Sequence, residues 1–371
     1  MGLCVELHRV GHSSRTGLIS KCARGSRQAH LGVSACRLFA RSVLAHPTII
    51  GHSLNRPECP MLDPQAQALM TLLSEKGIPP VHTQTPAEAR ASYRARRSFT
   101  QPDAPEVGRV QDLQFSHAGV SIAVRVYHPA GAGAALPALV YLHGGGWTIG
   151  DLDTHDVLCR SLCQQAHGVV VAVDYRMGPE HKFPAAYEDA VAAWQWVAQQ
   201  AANLGIDPAR IAIGGDSAGG NLAAAACLGL RDLGHKPVMQ LLIYPSTVMA
   251  PDTDSYRNNG QGYMLTRESM AWYTGNYLRN LQDTLDWRAS PQLASSHANL
   301  PQAFVLTAGF DPLRDEGLMY ADALSRAGVS SQYICFERQI HGFITMGRVL
   351  QEANTAVAMC AQALRTAWAQ A

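Results

Sequence analysis

The chain reads as an α/β protein: a mostly parallel central sheet with helices on both faces and a smaller appendage. Two observations predict this class. Seven short runs rich in aliphatic and β-branched residues, at 122–127, 139–142, 169–173, 211–214, 240–244, 303–307 and 332–336, alternate with longer stretches of helical pattern. The runs are apolar nearly throughout rather than every second residue, which marks strands covered on both faces, and β–α alternation winds such strands in parallel. With 371 residues, 47% of them apolar, the chain is long enough to bury that sheet in one large domain.

Residues 1–60 stand apart. They hold eight Lys and Arg against two Asp and Glu, whereas 61–371 hold 22 against 27. No hydrophobic period runs through them, and their one apolar stretch, about 43–50, is too short and too late for a secretory core. They are expected to be a basic, disordered extension ahead of a start at Met61; a targeting peptide and a nucleic-acid-binding arm are the competing readings. Glu6 stands where a myristoylation signal after Met1-Gly2 would need Ser or Thr.

From Met61 the pattern is regular. Asp63-Pro64 supplies a helix cap and first position, Ala66, Leu69, Met70 and Leu73 repeat at helical spacing, and Gly77 closes the segment. Thr85-Pro86-Ala87-Glu88 is a capping box opening a second helix through Arg97. Between strands, 184–202 keeps Ala186, Ala190, Ala193, Trp194 and Val197 in helical register, and 218–233 is a second such helix.

Two strands end in chemistry. The strand 139–142 runs into His143-Gly144-Gly145-Gly146-Trp147, whose glycines let backbone N–H groups approach a ligand with no Cβ in the way. Such a turn alone is often only a flexible loop. The strand 211–214 ends in Gly215-Asp216-Ser217-Ala218-Gly219, which fits the G-x-S-x-G elbow: strained backbone presents a serine hydroxyl, and the following helix aims its positive end there. Glycine-rich strand-to-helix turns also bind phosphates or merely reverse the chain, so the surroundings decide. The His-Gly-Gly-Gly segment resembles the oxyanion-hole loop of lipases and esterases, and with it Gly144, Gly145 and Ala218 are the amides expected to hold an oxyanion. Asp216, beside the serine, either tunes the site or suits the helix dipole.

A serine needs a base, and the base a carboxylate to orient it. The strand 303–307 leads to Asp311, with Asp315 and Glu316 placed where the first turn of a helix favours negative charge; the strand 332–336 is followed by His341-Gly342-Phe343. The expected triad is Ser217, Asp311 and His341, with Asp315 the rival carboxylate. His143 is expected to orient the glycine loop, and His155, His167, His181, His235 and His297 to be surface or satisfied structural residues. In an open parallel sheet ligands bind at the carboxyl ends of the strands, where all three triad candidates fall. Residues 61–100, which precede the first strands, and a second segment about 246–299 are therefore read as cap elements over the site, against the plainer reading that they pack on the sheet. The stripe Met270, Trp272, Tyr273 and Tyr277 on a helix 266–278 marks core as readily as a ligand wall, so no contact is assigned to it.

Over about residues 61–368 the chain resembles the hormone-sensitive-lipase family of carboxylesterases, α/β hydrolases, in the bacterial subgroup whose elbow reads Gly-Asp-Ser-Ala-Gly. The resemblance rests on the glycine loop, the elbow, Asp174-Tyr175-Arg176-Met177-Gly178-Pro179-Glu180-His181-Lys182-Phe183-Pro184-Ala185, Asp311-Pro312-Leu313-Arg314-Asp315-Glu316 and His341-Gly342-Phe343. Met177-Gly178 stands where such proteins more often have Leu-Ala, and Lys182 where they often have Pro. The resemblance implies an α/β-hydrolase fold with a helical cap, and hydrolysis of short- to medium-chain esters through an acyl-enzyme. A lipase or amidase would use the same triad. A small-molecule receptor on this fold is the non-enzymatic alternative, and the family's plant gibberellin receptors lack the histidine that His341 supplies here.

Composition excludes other classes. A formal charge of +1 gives nucleic acid no basic field, and no run of about 18 apolar residues provides a membrane span. Nine scattered cysteines without a C-x-x-C pair suit reduced thiols in the cytoplasm, with Cys159 and Cys163 read as buried packing. No H-E-x-x-H, Walker lysine loop or dinucleotide fingerprint occurs, so no cofactor and no metal are expected. The expected partner is a small-molecule ester, with a homo-oligomer left open.

Overall fold

A computed structural model describes residues 61–371 apart from 132 and 134. The basic extension assigned to 1–60 lies outside the described residues. Eight strands, β1 (Arg109–His117), β2 (Val120–His128), β3 (Leu136–Leu142), β4 (Val169–Asp174), β5 (Ile206–Asp216), β6 (Met239–Ile243), β7 (Gln302–Phe310) and β8 (Ser331–Ile340), form one sheet in the order β1-β2-β4-β3-β5-β6-β7-β8. The pairs β1·β2 and β2·β4 are antiparallel and the others parallel. Seven of these strands contain the apolar runs. The strand β1 was not expected: its sequence, RVQDLQFSH, lies at the sheet edge with Phe115 its one buried residue, so neither face is apolar enough to be read.

Alternate residues of each central strand feed two cores. From β3, Val140 and Leu142 pack with Ala190 and Trp194 of α4 (Ala185–Gln199) and Leu222 of α5 (Ala218–Asp232). Leu139 and Tyr141 face the opposite layer, against Leu158 and Leu162 of α3 (Asp156–Ala166) and Leu364 of α9 (Gln351–Ala369). Because both faces are covered, β3 to β7 read as continuous apolar runs. Cys159 and Cys163 sit fully buried in the second core as free thiols, as their spacing predicts.

Before β1 lie α1 (Pro64–Glu75), capped by the Asp63 carboxylate on Gln65 N–H (2.7 Å), and α2 (Pro86–Thr100). The reciprocal capping box of Thr85 and Glu88 opens α2, as read. Between β6 and β7 lie α6 (Asp254–Asn259) and α7 (Arg267–Tyr277), the latter capped by Thr266. Tyr277 is buried and stacks on Trp147 with centroids 4.6 Å apart, so it is core, whereas Tyr273 faces open space. The helix α8 (Arg314–Arg326) joins β7 to β8. Among the described residues no helix is long and apolar enough to cross a membrane.

Candidate active site

The chemistry gathers at the carboxyl ends of β3, β5, β7 and β8. Ser217 follows β5 directly at φ 55, ψ −116, outside the regions most residues adopt, and its N–H is tied to Ile243 O at the end of β6 (2.8 Å). That turn requires Gly219: a Cβ there would drive into the Leu142 carbonyl oxygen of β3. The hydroxyl is therefore held out from the sheet by backbone alone.

His341, one residue past β8, places Nε2 2.9 Å from Ser217 Oγ and Nδ1 2.7 Å from Asp311 Oδ2. A carboxylate only accepts, so Nδ1 carries the proton and Nε2 is left to accept from the serine hydroxyl. Asp311, one residue past β7, is fully buried, and its second oxygen accepts from Leu313 N–H (2.8 Å). Tyr244 packs its ring 4.7 Å from the His341 ring. The rival Asp315 points elsewhere, accepting from Ser255 N–H (2.7 Å) and Arg314 in the first turn of α8. Its neighbour Glu316 lies in the same first turn, as expected. It is buried, one oxygen accepting from Thr247 N–H (2.6 Å), and burial pushes its carboxyl up to about 8.

The glycine loop departs from expectation at one position. Gly144 N–H does not face the serine; it donates to Asp216 Oδ1 (2.9 Å), and a Cβ on Gly144 would collide with that carboxylate. Gly145, at φ 121, and Gly146 line the cavity with Ser217, and neither amide has a partner among the described residues. Of the three amides expected, Gly144 is thus engaged elsewhere, because spacing does not show which amide a neighbouring carboxylate has taken. Asp216 is a buried hub, accepting also from Tyr141 Oη (2.8 Å) with His155 Nε2 3.2 Å away. Burial pushes its carboxyl upward, but His155, Tyr141 and His143 outweigh that and leave it below the usual carboxylate range. His143 bonds Gly144 O (2.9 Å) and stacks on Tyr175, bracing the loop as expected; burial first and then His155 lower its pKa to about 4, so it is neutral. His155 and His297 are buried with partners and His167, His181 and His235 exposed, so each falls within its expected kind.

Above Ser217 and His341 opens a cavity of about 850 Å³. Its walls come from α1, α2 and the turn between them, and from the segment 246–274. A Ser–His–Asp arrangement on β5, β8 and β7 of a sheet in this strand order defines the class: an α/β hydrolase.

Comparison with known proteins narrows the class to a family. Residues 139–345 match the family model described as alpha/beta hydrolase fold. A carboxylic ester hydrolase of Mycobacterium tuberculosis, LipN, is 46% identical over 64% of this chain and 65% of its own length, so the match spans just under two thirds of that relative. An ethyl acetate hydrolase of Pseudomonas putida is 37% identical over 82% of this chain and 98% of its own. Among solved structures, an ester hydrolase from the Lake Arreo metagenome, in complex with a bipyridine phosphonate derivative, superposes with a TM-score of 0.81 at 39% identity, covering 83% of this chain and all of that one. An esterase of the archaeon Pyrobaculum calidifontis gives 0.78 at 38%, covering 82% and 98%. The chain belongs to the hormone-sensitive-lipase-like family of alpha/beta hydrolases and is an ester hydrolase.

Proposed function

We propose that the protein is a serine carboxylesterase acting on short- to medium-chain esters, with Ser217 as nucleophile, His341 as base and Asp311 as its orienting carboxylate. The observation that carries this reading is the continuous hydrogen-bonded series Ser217–His341–Asp311 opening into a cavity. Ser217 Oγ attacks the ester carbonyl as His341 Nε2 takes its proton, and Asp311 steadies the resulting imidazolium. The amides of Gly145, Gly146 and Ala218 receive the oxyanion, while Asp216 holds Gly144 and so the loop in place. His341 returns the proton to the leaving alkoxide, and water repeats the cycle on the acyl-enzyme.

A volume near 850 Å³ accommodates a small ester with both its acyl and alcohol parts. Residues 61–100 and 246–299 act as the cap, and the five described free thiols suit a cytoplasmic setting. Initial rates on p-nitrophenyl esters of rising chain length, for wild type and Ser217→Ala, test the reading. A maximum among short acyl chains and a loss of at least about 10³ in kcat for the variant are expected, with the melting temperature retained. Near-wild-type turnover by Ser217→Ala removes the assignment.

A further inference from the structure

On the inner face of α2, Ala89, Ser92, Tyr93 and Arg96 follow helical spacing and line the same cavity as Ser217. Two other arginines of this helix are spoken for: Arg90 pairs with Glu180 (2.7 Å) and Arg94 with Asp151. Arg96 forms no salt bridge with any described carboxylate. Its guanidinium lies over the Tyr93 ring (5.1 Å), with one nitrogen 3.9 Å from Met264 Sδ. Glu268, an acidic group on the same wall, is exposed at the first turn of α7, is engaged by Thr266 and Gln261, and forms no salt bridge with Arg96.

We propose that this enzyme's preferred esters carry a free carboxylate, bound by Arg96 within the tyrosine-walled cavity. The inference rests on the esterase reading and names its substrate class. A half-buried guanidinium among aromatic and thioether groups has lost part of its hydration without a countercharge, and a planar carboxylate is the ligand its fork of donors matches. The neighbouring phenols supply donors and no charge: burial raises the Tyr93 hydroxyl well above its ordinary range and pushes that of Tyr273 up to about 12. Both also reach the surroundings of the reacting centre. Tyr273 packs against Gly146 of the glycine loop, and the Tyr93 ring lies 6.3 Å from that of His155, the partner of Asp216. An anion on Arg96 would thus leave the rest of a short ester reaching toward Ser217.

The carboxylate could sit on either side of the scissile bond, and paired substrates separate the two. Monoethyl glutarate against ethyl pentanoate probes the acyl side; 4-acetoxybutanoate against pentyl acetate probes the alcohol side, each followed by acid release at constant pH. At least one anionic ester should exceed its neutral partner in kcat/KM, with a KM that rises with salt while the neutral one's does not. In Arg96→Gln that anionic-to-neutral ratio should fall about 10- to 100-fold, and Arg96→Lys should recover part of it. If wild type prefers the neutral ester on both sides, or if the ratio is unchanged in Arg96→Gln, the proposal is wrong. Turnover of the neutral esters by wild type, abolished in Ser217→Ala, keeps such a failure distinct from failure of the esterase reading.

Discussion

Replacing Asp311 by Asn keeps the shape of the site and changes only what one atom can do. In the native site Oδ1 accepts from Leu313 N–H at 2.8 Å and Oδ2 accepts from His341 Nδ1–H at 2.7 Å. An asparagine must put its NH₂ at one of these places. Facing Leu313 N–H, two buried donors would oppose each other, at a cost of about 1–3 kcal/mol. Facing His341, the NH₂ is satisfied if Nδ1 gives up its proton, and Nε2 then carries one and cannot accept from Ser217. The Leu313 amide thus biases the variant toward the wrong tautomer by about 10- to 100-fold. Loss of the charge that stabilises the imidazolium removes about as much again, so kcat should fall by about 10²–10⁴ with KM little changed. Asp315→Asn should keep kcat within a few-fold and lower the melting temperature, since that carboxylate serves only Ser255 and Arg314. Initial rates on one short-chain p-nitrophenyl ester, with melting curves for both variants, decide the matter. The reverse ranking of kcat would show the wrong carboxylate was chosen.

Three further outcomes are expected. Asp216→Ala leaves Gly144 N–H without its acceptor and frees the glycine loop, so kcat should drop about 10–100-fold with KM changed far less; an unchanged kcat would remove Asp216 from the loop's support. Glu316, at about 8 in the fold against about 4.5 unfolded, stays protonated where the unfolded chain ionises. Its stabilising effect is whole below about pH 4.5 and is lost as pH rises toward 8, so the melting temperature of wild type should fall over that window more steeply than that of Glu316→Gln. We also propose the domain boundary at Met61, because Arg338 of β8 already holds Met61 O (3.0 Å) and Asp63 N–H reaches Arg338 O (2.9 Å). A chain beginning there should match the full chain in melting temperature and kcat/KM, and a marked deficit in either would move the boundary.

What could be read from sequence divides along physical lines. Strands buried on both faces announce themselves, because 139–142 and 169–173 have no polar partner to hide among. The edge strand β1 borrows its stability from pairing with β2 and shows only Phe115 to the core, so its residues carry no period. The positions of Ser217, Asp311 and His341 were legible because each falls within five residues of the end of an apolar run. The hydrogen-bond partner of Gly144 was not, since it depends on Asp216, 72 residues away in the chain. Burial of Glu316 was hidden for the same reason: a helix's first turn looks alike whether it meets water or the backbone of Thr247.

The groups that would break bonds sit on the ends of strands, whereas the cavity walls are lent by α1, α2 and the stretch from 246 to 274. These two sets of residues answer to different demands. Strand ends are fixed by the registry of the whole sheet, and one methyl group at Gly219 would disturb it. The walls hang on local capping contacts such as Thr85 with Glu88, residues that do not themselves line the cavity. A repertoire of esters could therefore be acquired or shed by redrawing the walls alone, leaving the chemical engine as it was inherited.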